Sequence, residues 1–231
     1  MKYQFDFSFL WDPDNAYWQD LAYGALLSAQ LTLVALACGF IVGTLCAVGR
    51  TAGPGWLRWI IAVYVEIIRN TPLLVQTFWL FFGLASIGIK LPAFVAAVIA
   101  LTINVGAYSS EIIRAGIESI NKGQVEAAES LALTRVSTFI DVILPPAIEK
   151  VLPALASQFV LMMLASSIMA QISAEELMAA ASRTQSETFR GFEIYIVVAG
   201  IYLVMSILLR FIILGLGWLA FPRRRRLARS G

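Results

Sequence analysis

Long apolar runs separated by short polar or basic stretches set the pattern of this chain. Leu21 to Gly49 has no charged residue, and Asn70 to Ile89 has none beyond its polar start. Leu91 to Ser110, Val151 to Ser173 and Ile194 to Phe221 follow, the last interrupted only by Arg210. A bilayer core about 30 Å thick needs about 20 apolar residues of helix, because hydrocarbon offers backbone amides no partner and a helix satisfies them internally. The pattern therefore predicts an all-α integral membrane fold with five transmembrane helices. Trp56 to Ile68 is also apolar and helix-like but carries Arg58 and Glu66. It reads either as part of a long tilted second helix or as an interfacial helix entering the span at Thr71-Pro72.

The longest polar connection, Gly116 to Lys150, has helical signals of its own. Gln124 to Leu133 is rich in Ala, Leu and Glu, which favour helix. Thr134 is placed to cap a second helix, whose apolar Val136, Phe139, Ile140 and Ile143 recur at helical spacing until Pro145 and Pro146 are expected to stop it. An amphipathic hairpin held at the membrane face is a docking surface. Further on, Ser173 and Glu176 form a capping-box pair, with Ile172 and Leu177 as a hydrophobic staple, predicting a short helix over Ala174 to Ser182. In the first span, Ala35, Gly39, Gly43 and Ala47 put small side chains on one face, suited to close helix packing within the subunit or between subunits.

Composition agrees with this reading. Of 231 residues, 59% are hydrophobic and 14% charged, with a mean hydropathy of +0.79, whereas soluble domains carry about a quarter charged residues. Placing the C-terminus in the cytoplasm gives that side Arg50, Arg58, Arg114, Lys122, Arg135, Lys150, Arg223 to Arg226 and Arg229, against Lys2, Lys90, Arg183 and Arg190 outside. The excess predicts N-out and C-in, with Tyr17 and Trp18 at the outer interface and Trp56, Trp59 and Trp218 at the inner one. A basic run beside a span is a membrane flank rather than a nucleic-acid-binding tail. Residues 1–20 are acidic and aromatic and do not read as a signal peptide. Cys38 and Cys46 lie about 12 Å apart along one helix, too far to pair. With no histidine in the chain, no metal site is expected.

Four blocks carry a family resemblance: Arg69-Asn70-Thr71-Pro72-Leu73-Leu74-Val75-Gln76; Ala107-Tyr108-Ser109-Ser110-Glu111-Ile112-Ile113-Arg114-Ala115-Gly116-Ile117; Gly123-Gln124-Val125-Glu126-Ala127-Ala128 continuing to Ile143-Leu144-Pro145; and Thr188-Phe189-Arg190 with Phe192-Glu193-Ile194-Tyr195. In order and at this spacing they resemble the permease subunits of polar amino-acid ABC importers, the small five-span members of the type I (MetI-like) fold. The resemblance implies residues 1–20 as an extracytoplasmic segment, 21–221 as the permease domain with its cytoplasmic EAA loop over 116–150, and 222–231 as a basic cytoplasmic tail. It implies a bacterial inner-membrane location and, as partners, two cytoplasmic ATPase subunits that bind ATP and Mg, a second permease subunit (a copy or a sister chain) and an extracytoplasmic solute-binding protein. Glu126, Ala127 and Ala128 would contact the ATPase, with Ala132 standing where the family usually has glycine. A second departure is in the fourth span, where a family Lys-Asp pair is replaced by Leu164-Ala165.

No G-x-x-x-x-G-K-[ST] phosphate loop occurs in the chain, so it lacks the usual cradle for ATP and is expected to be a transport subunit rather than an enzyme. Polar residues at membrane depth are expensive and mark candidate pathway positions: Arg69, Thr71, Gln76, Asn104, Glu111, Gln158, Ser166 and Ser167. Each also has a structural reading. Glu111 and Arg114 stand one turn apart and suit a pair, Ser and Gln suit bonds to neighbouring helices, and Arg210 suits snorkelling or pairing. An ATP-independent secondary transporter of small polar solutes is the alternative function, but the inverted repeats and paired broken helices expected of one are not seen.

Overall fold

The computed structural model describes residues 5–11, 15 and 17–220, all helical or irregular. The arginine cluster of the tail and Lys2 lie outside the described residues. After a single 3₁₀ turn at Ser8–Trp11 come α1, Tyr17–Ala52; α2, Gly55–Arg69; α3, Leu73–Ser86; and α4, Ala93–Glu118. They are followed by α5, Lys122–Ser130; α6, Arg135–Ile172; α7, Leu177–Thr188; and α8, Gly191–Ala220. Among the described residues, α1, α4, α6 and α8 are long and apolar enough to cross a membrane, and α3 is the fifth, shorter apolar helix.

The second predicted span is shorter than the hydropathy pattern suggests, with α3 about 21 Å long by its rise per residue. Pro72 stands before α3 in extended geometry, φ −64° and ψ 136°, and has no amide to carry a helix through. At the other end Gly88 adopts φ +91°, open to glycine and strained for other residues. The alternatives for Trp56 to Ile68 are thereby decided. It is a separate helix, α2, burying Ile61 and Val65 while exposing Trp56, Trp59, Ile60, Val63 and Ile67. That exposed apolar stripe suits lipid.

Two further expectations change. Pro145 and Pro146 do not stop a helix, because α6 passes through them after a π-helical turn over Thr138–Ile143. A proline removes one amide bond and crowds the carbonyl four residues back, and a widened turn just before it relieves both effects. Ser173 does not start a helix either. It ends the 3₁₀ last turn of α6 in the left-handed conformation, φ 61°, and Glu176 is itself the cap of α7, accepting from the Ala179 amide at 3.0 Å.

The chain forms two compact units, each gathered from three stretches. The first comprises residues 1–37, 71–102 and 161–208. One of its clusters packs Leu31, Ala35, Ala96, Ala97, Leu101, Met169 and Ile172, and another packs Leu10, Leu21, Leu177, Ala180, Ile194 and Val198. The small side chains let backbones approach, which is how helices gain contact energy where lipid removes most of the hydrophobic drive.

The second unit comprises residues 38–70, 103–160 and 209–231. A Cβ on Gly43 would lie 2.6 Å from the Ser109 Cβ and 2.9 Å from the Gly106 carbonyl, so α1 and α4 touch backbone to backbone. Tyr64 of α2 donates to the Ile103 carbonyl at 2.6 Å. Phe40 and Phe159 meet edge to face at 6.2 Å. Ala35, Gly39, Gly43 and Ala47 are all buried within the chain, so the stripe of small residues on α1 serves packing inside the subunit.

Candidate functional site

The hairpin of α5 and the start of α6 is built from caps inward. Asn121 accepts the Gly123 amide at 2.9 Å to start α5, and Thr134 accepts the Ser137 amide at 3.2 Å to start α6. Between them Ala132 sits at φ 56°, with Leu133 N–H donating to the Ala128 carbonyl at 3.2 Å and Ala132 N–H to the Glu129 carbonyl at 2.9 Å. This is a Schellman turn holding alanine where glycine is usual, a left-handed conformation that costs about 1–2 kcal/mol. Glu126 and Ala127 face outward, as do Leu131, Val136 and Ile140. Ala128, which the family resemblance would set against a partner, is buried, where its small side chain lets α5 lie against the π turn of α6.

In the second unit, Glu111 joins two helices electrostatically. Its carboxylate accepts from Arg50 of α1 at 2.7 Å and from Arg114 one turn along α4, and Arg114 also meets Glu118. The members keep a fifth to a quarter of their side chains accessible, except for the more open Glu118. Arg69 lies over the Tyr108 ring at 5.4 Å, a cation–π contact. Asn104 is buried, Gln158 half-buried and Arg210 exposed on α8.

In the first unit, Gln76 Nε2 donates to the Thr71 hydroxyl at 2.8 Å and to its carbonyl at 3.0 Å, bridging the Pro72 break. Ser166 is buried and donates to the Met163 carbonyl at 2.6 Å, while Ser167 donates to Leu164 at 2.7 Å. Both hydroxyls thus bond to carbonyls at the point where α6 tightens into 3₁₀ geometry.

A polar cluster that sequence reasoning missed lies in this same unit. Glu176, 1% exposed, accepts from the Ser28 hydroxyl at 3.0 Å and the Tyr202 hydroxyl at 2.7 Å. Ser28 in turn accepts the Leu177 amide at 3.0 Å. Burial pushes the Glu176 carboxyl above its ordinary range, against the lowering effect of these donors. The sequence pattern puts Glu176 inside a helix capped by Ser173 rather than at the cap itself, and the donors from α1 and α8 come from sequence-distant spans where Ser and Tyr look incidental. A second missed set pins the N-terminal segment. Arg190 pairs with the Asp6 carboxylate at 2.8 Å and donates to the Asp6 carbonyl at 3.1 Å, while the Asp6 amide donates to buried Glu193 at 3.3 Å. The Ser8 hydroxyl and amide, with Arg190, hold the Asp6 carboxyl below its usual range.

Residues 17–217 match the family model described as binding-protein-dependent transport system inner membrane component. A probable glutamine ABC transporter permease protein of Bacillus subtilis (strain 168) is 42% identical over 200 residues, covering 87% of this chain and 91% of the relative. The glutamine transport system permease protein of Escherichia coli (strain K12) is 36% identical over 213 residues, 91% and 95% of the two chains. The L-cystine transport system permease protein of Bacillus subtilis (strain 168) is 37% identical, covering 86% of each. Among solved structures, an amino acid ABC transporter crystallised with histidines superposes with TM-score 0.84 at 36% identity, covering 93% of this chain and 99% of that one. The MetNI methionine ABC transporter, inward facing, gives TM-score 0.74 at 18% identity over 94% and 100% of the chains, a likeness of fold.

Proposed function

The chain belongs to the binding-protein-dependent transport system inner membrane component family, and from that premise we propose how it works as the permease subunit of an amino-acid ABC importer. It is a multi-pass inner-membrane protein and a transport component. Its N-terminus faces outward and its C-terminus the cytoplasm, on the balance of Lys and Arg flanks. It pairs with a second permease subunit and receives solute from an extracytoplasmic binding protein. Cytoplasmic ATPase subunits, which bind ATP and Mg, supply the work.

The observation that carries this reading is the hairpin. Glu126 and Ala127 stand exposed on a short helix fixed by caps at its start and by a Schellman turn at its end. A push on such a helix moves the body it packs against instead of bending a loop. Glu126 offers a carboxylate to a basic groove on the ATPase, while Ala128 and Ala132 set the hairpin's shape from within.

The solute is a polar amino acid without net side-chain charge. Two considerations support this: the relatives named for glutamine and cystine, and a fourth span that carries Leu164-Ala165 in place of a charged pair. In the first unit Thr71, Gln76 and Ser167 remain accessible to different degrees and meet the solute on its path, while in the second Arg69 stands exposed over the Tyr108 ring. Glu111, paired on both sides, and buried Ser166 hold the frame.

The test is uptake into proteoliposomes containing both permeases and the ATPase, with binding protein and ATP supplied on their proper sides. Glu126→Lys is expected to abolish ATP-driven uptake while leaving insertion and assembly intact. Normal uptake by that variant, or wild-type uptake with no ATPase present, overturns the coupling reading.

A further inference from the structure

The second unit contains a groove beside the hairpin. It is a cleft of about 510 Å³ lined by Val48 and Ala52 at the end of α1 and by Arg135, Val136, Phe139, Ile140 and Leu144 at the start of α6. Six of these seven side chains are apolar and the seventh is a guanidinium. Arg135 is exposed and has no ion-pair partner among the described residues. Asp141, the carboxylate in the same helical run, does not line the cleft. A second cation lies close by, because Arg58 donates to the carbonyl of Gly53, the residue after Ala52, at 2.7 Å. Exposed Trp56 and Trp59 follow on α2, where aromatic side chains suit the level of lipid headgroups.

An apolar slot with one guanidinium in its lining and a second beside it matches an amphiphile with an anionic head, since basic pockets beside spans on the cytoplasmic side bind acidic lipid headgroups. We propose that this groove holds one anionic phospholipid of the inner leaflet, an acyl chain lying against Phe139, Ile140 and Leu144 and the phosphate on Arg135, with Arg58 as the neighbouring cation. The site rests on the orientation given above. It would place lipid against the outer wall of the coupling hairpin, so that lipid composition tunes the stiffness of the element that receives the ATPase stroke.

The assembled transporter is reconstituted in vesicles of phosphatidylcholine mixed with phosphatidylglycerol, either lipid carrying a photoactivatable acyl chain, and the labelled peptides are mapped. Labelling by the phosphatidylglycerol probe is expected to concentrate on residues 136–144 and to fall about fivefold in Arg135→Ala. Arg135→Lys should retain most of it, and Ile140→Trp, which fills the slot without touching the charge, should lose it. Equal labelling by the phosphatidylcholine probe reveals ordinary boundary lipid and overturns the proposal. So does labelling that appears only when the ATPase is omitted, which makes the groove part of the protein interface. ATP-driven uptake by Glu126→Lys is measured in the same vesicles, and normal uptake by that variant with selective labelling intact refutes the coupling reading while supporting the lipid site. A thiol at Val136→Cys that reacts only from the outer face overturns the orientation and the lipid site together.

Discussion

The two units solve the problem of polar groups inside an apolar protein in opposite ways. In the first, Glu176 is enclosed by hydroxyl and amide donors from Ser28, Tyr202 and Ala179, with burial raising its affinity for a proton. In the second, Glu111 lies between Arg50 and Arg114 in a chain of charges whose side chains stay partly accessible. Donors without charge fix one geometry, because removing any of them strands a buried group. A partly wet ion chain tolerates rearrangement, since each partner lost is replaced by solvent. The contrast assigns rigidity to the first cluster and adjustable contact between α1 and α4 to the second.

The largest effect that tests this contrast is expected from Glu176→Ala, which orphans two hydroxyls and an amide and should lower stability by about 3 kcal/mol, read by thermal unfolding in detergent. A loss below about 1 kcal/mol would erase the distinction. Glu111→Ala should cost less, about 1–2 kcal/mol, because its partners are partly hydrated, and the deficit should shrink as salt rises. A salt-independent loss would mean the chain is dry. Ala132→Gly, which belongs to neither cluster, serves as the control and should stabilise by about 1 kcal/mol through relief of the left-handed alanine. Should it also raise ATP-driven uptake, turn strain limits coupling.

The smallest effect concerns acidity. The folded state binds the Glu176 proton more tightly than the unfolded chain does, so this group's stabilising contribution is fully present below its ordinary value near 4.5. It is lost as pH rises through the higher folded value. Glu176→Gln should flatten that slope in a pH series of unfolding midpoints, and an unchanged slope assigns it to another group.

The apolar runs revealed the spans because a bilayer demands uniform hydropathy over about 20 residues, and α1, α4, α6 and α8 stand where that rule puts them. The hairpin was legible through Thr134 and the Ala-Glu run, since caps and propensity act locally. The sequence misled where one residue admits two local solutions. Pro145 ends most helices but follows a π turn here, and Ser173 fits a helix start but ends one. Ser28 and Tyr202 were invisible for a different reason. Their meaning comes from Glu176, 148 and 26 residues away respectively, and no periodicity reports contacts at such separations.

The widened turn over Thr138–Ile143 has a consequence for angular phase. One surplus residue in a helix offsets everything after it by about 100°. Deleting a single residue there would let an ordinary helix close up yet swing Leu155, Phe159 and Met163, all now buried, about a quarter turn from their seats. Shortening this segment by one should therefore be more damaging than replacing any one of its side chains, an inversion of the usual rule that surface-loop indels are mild.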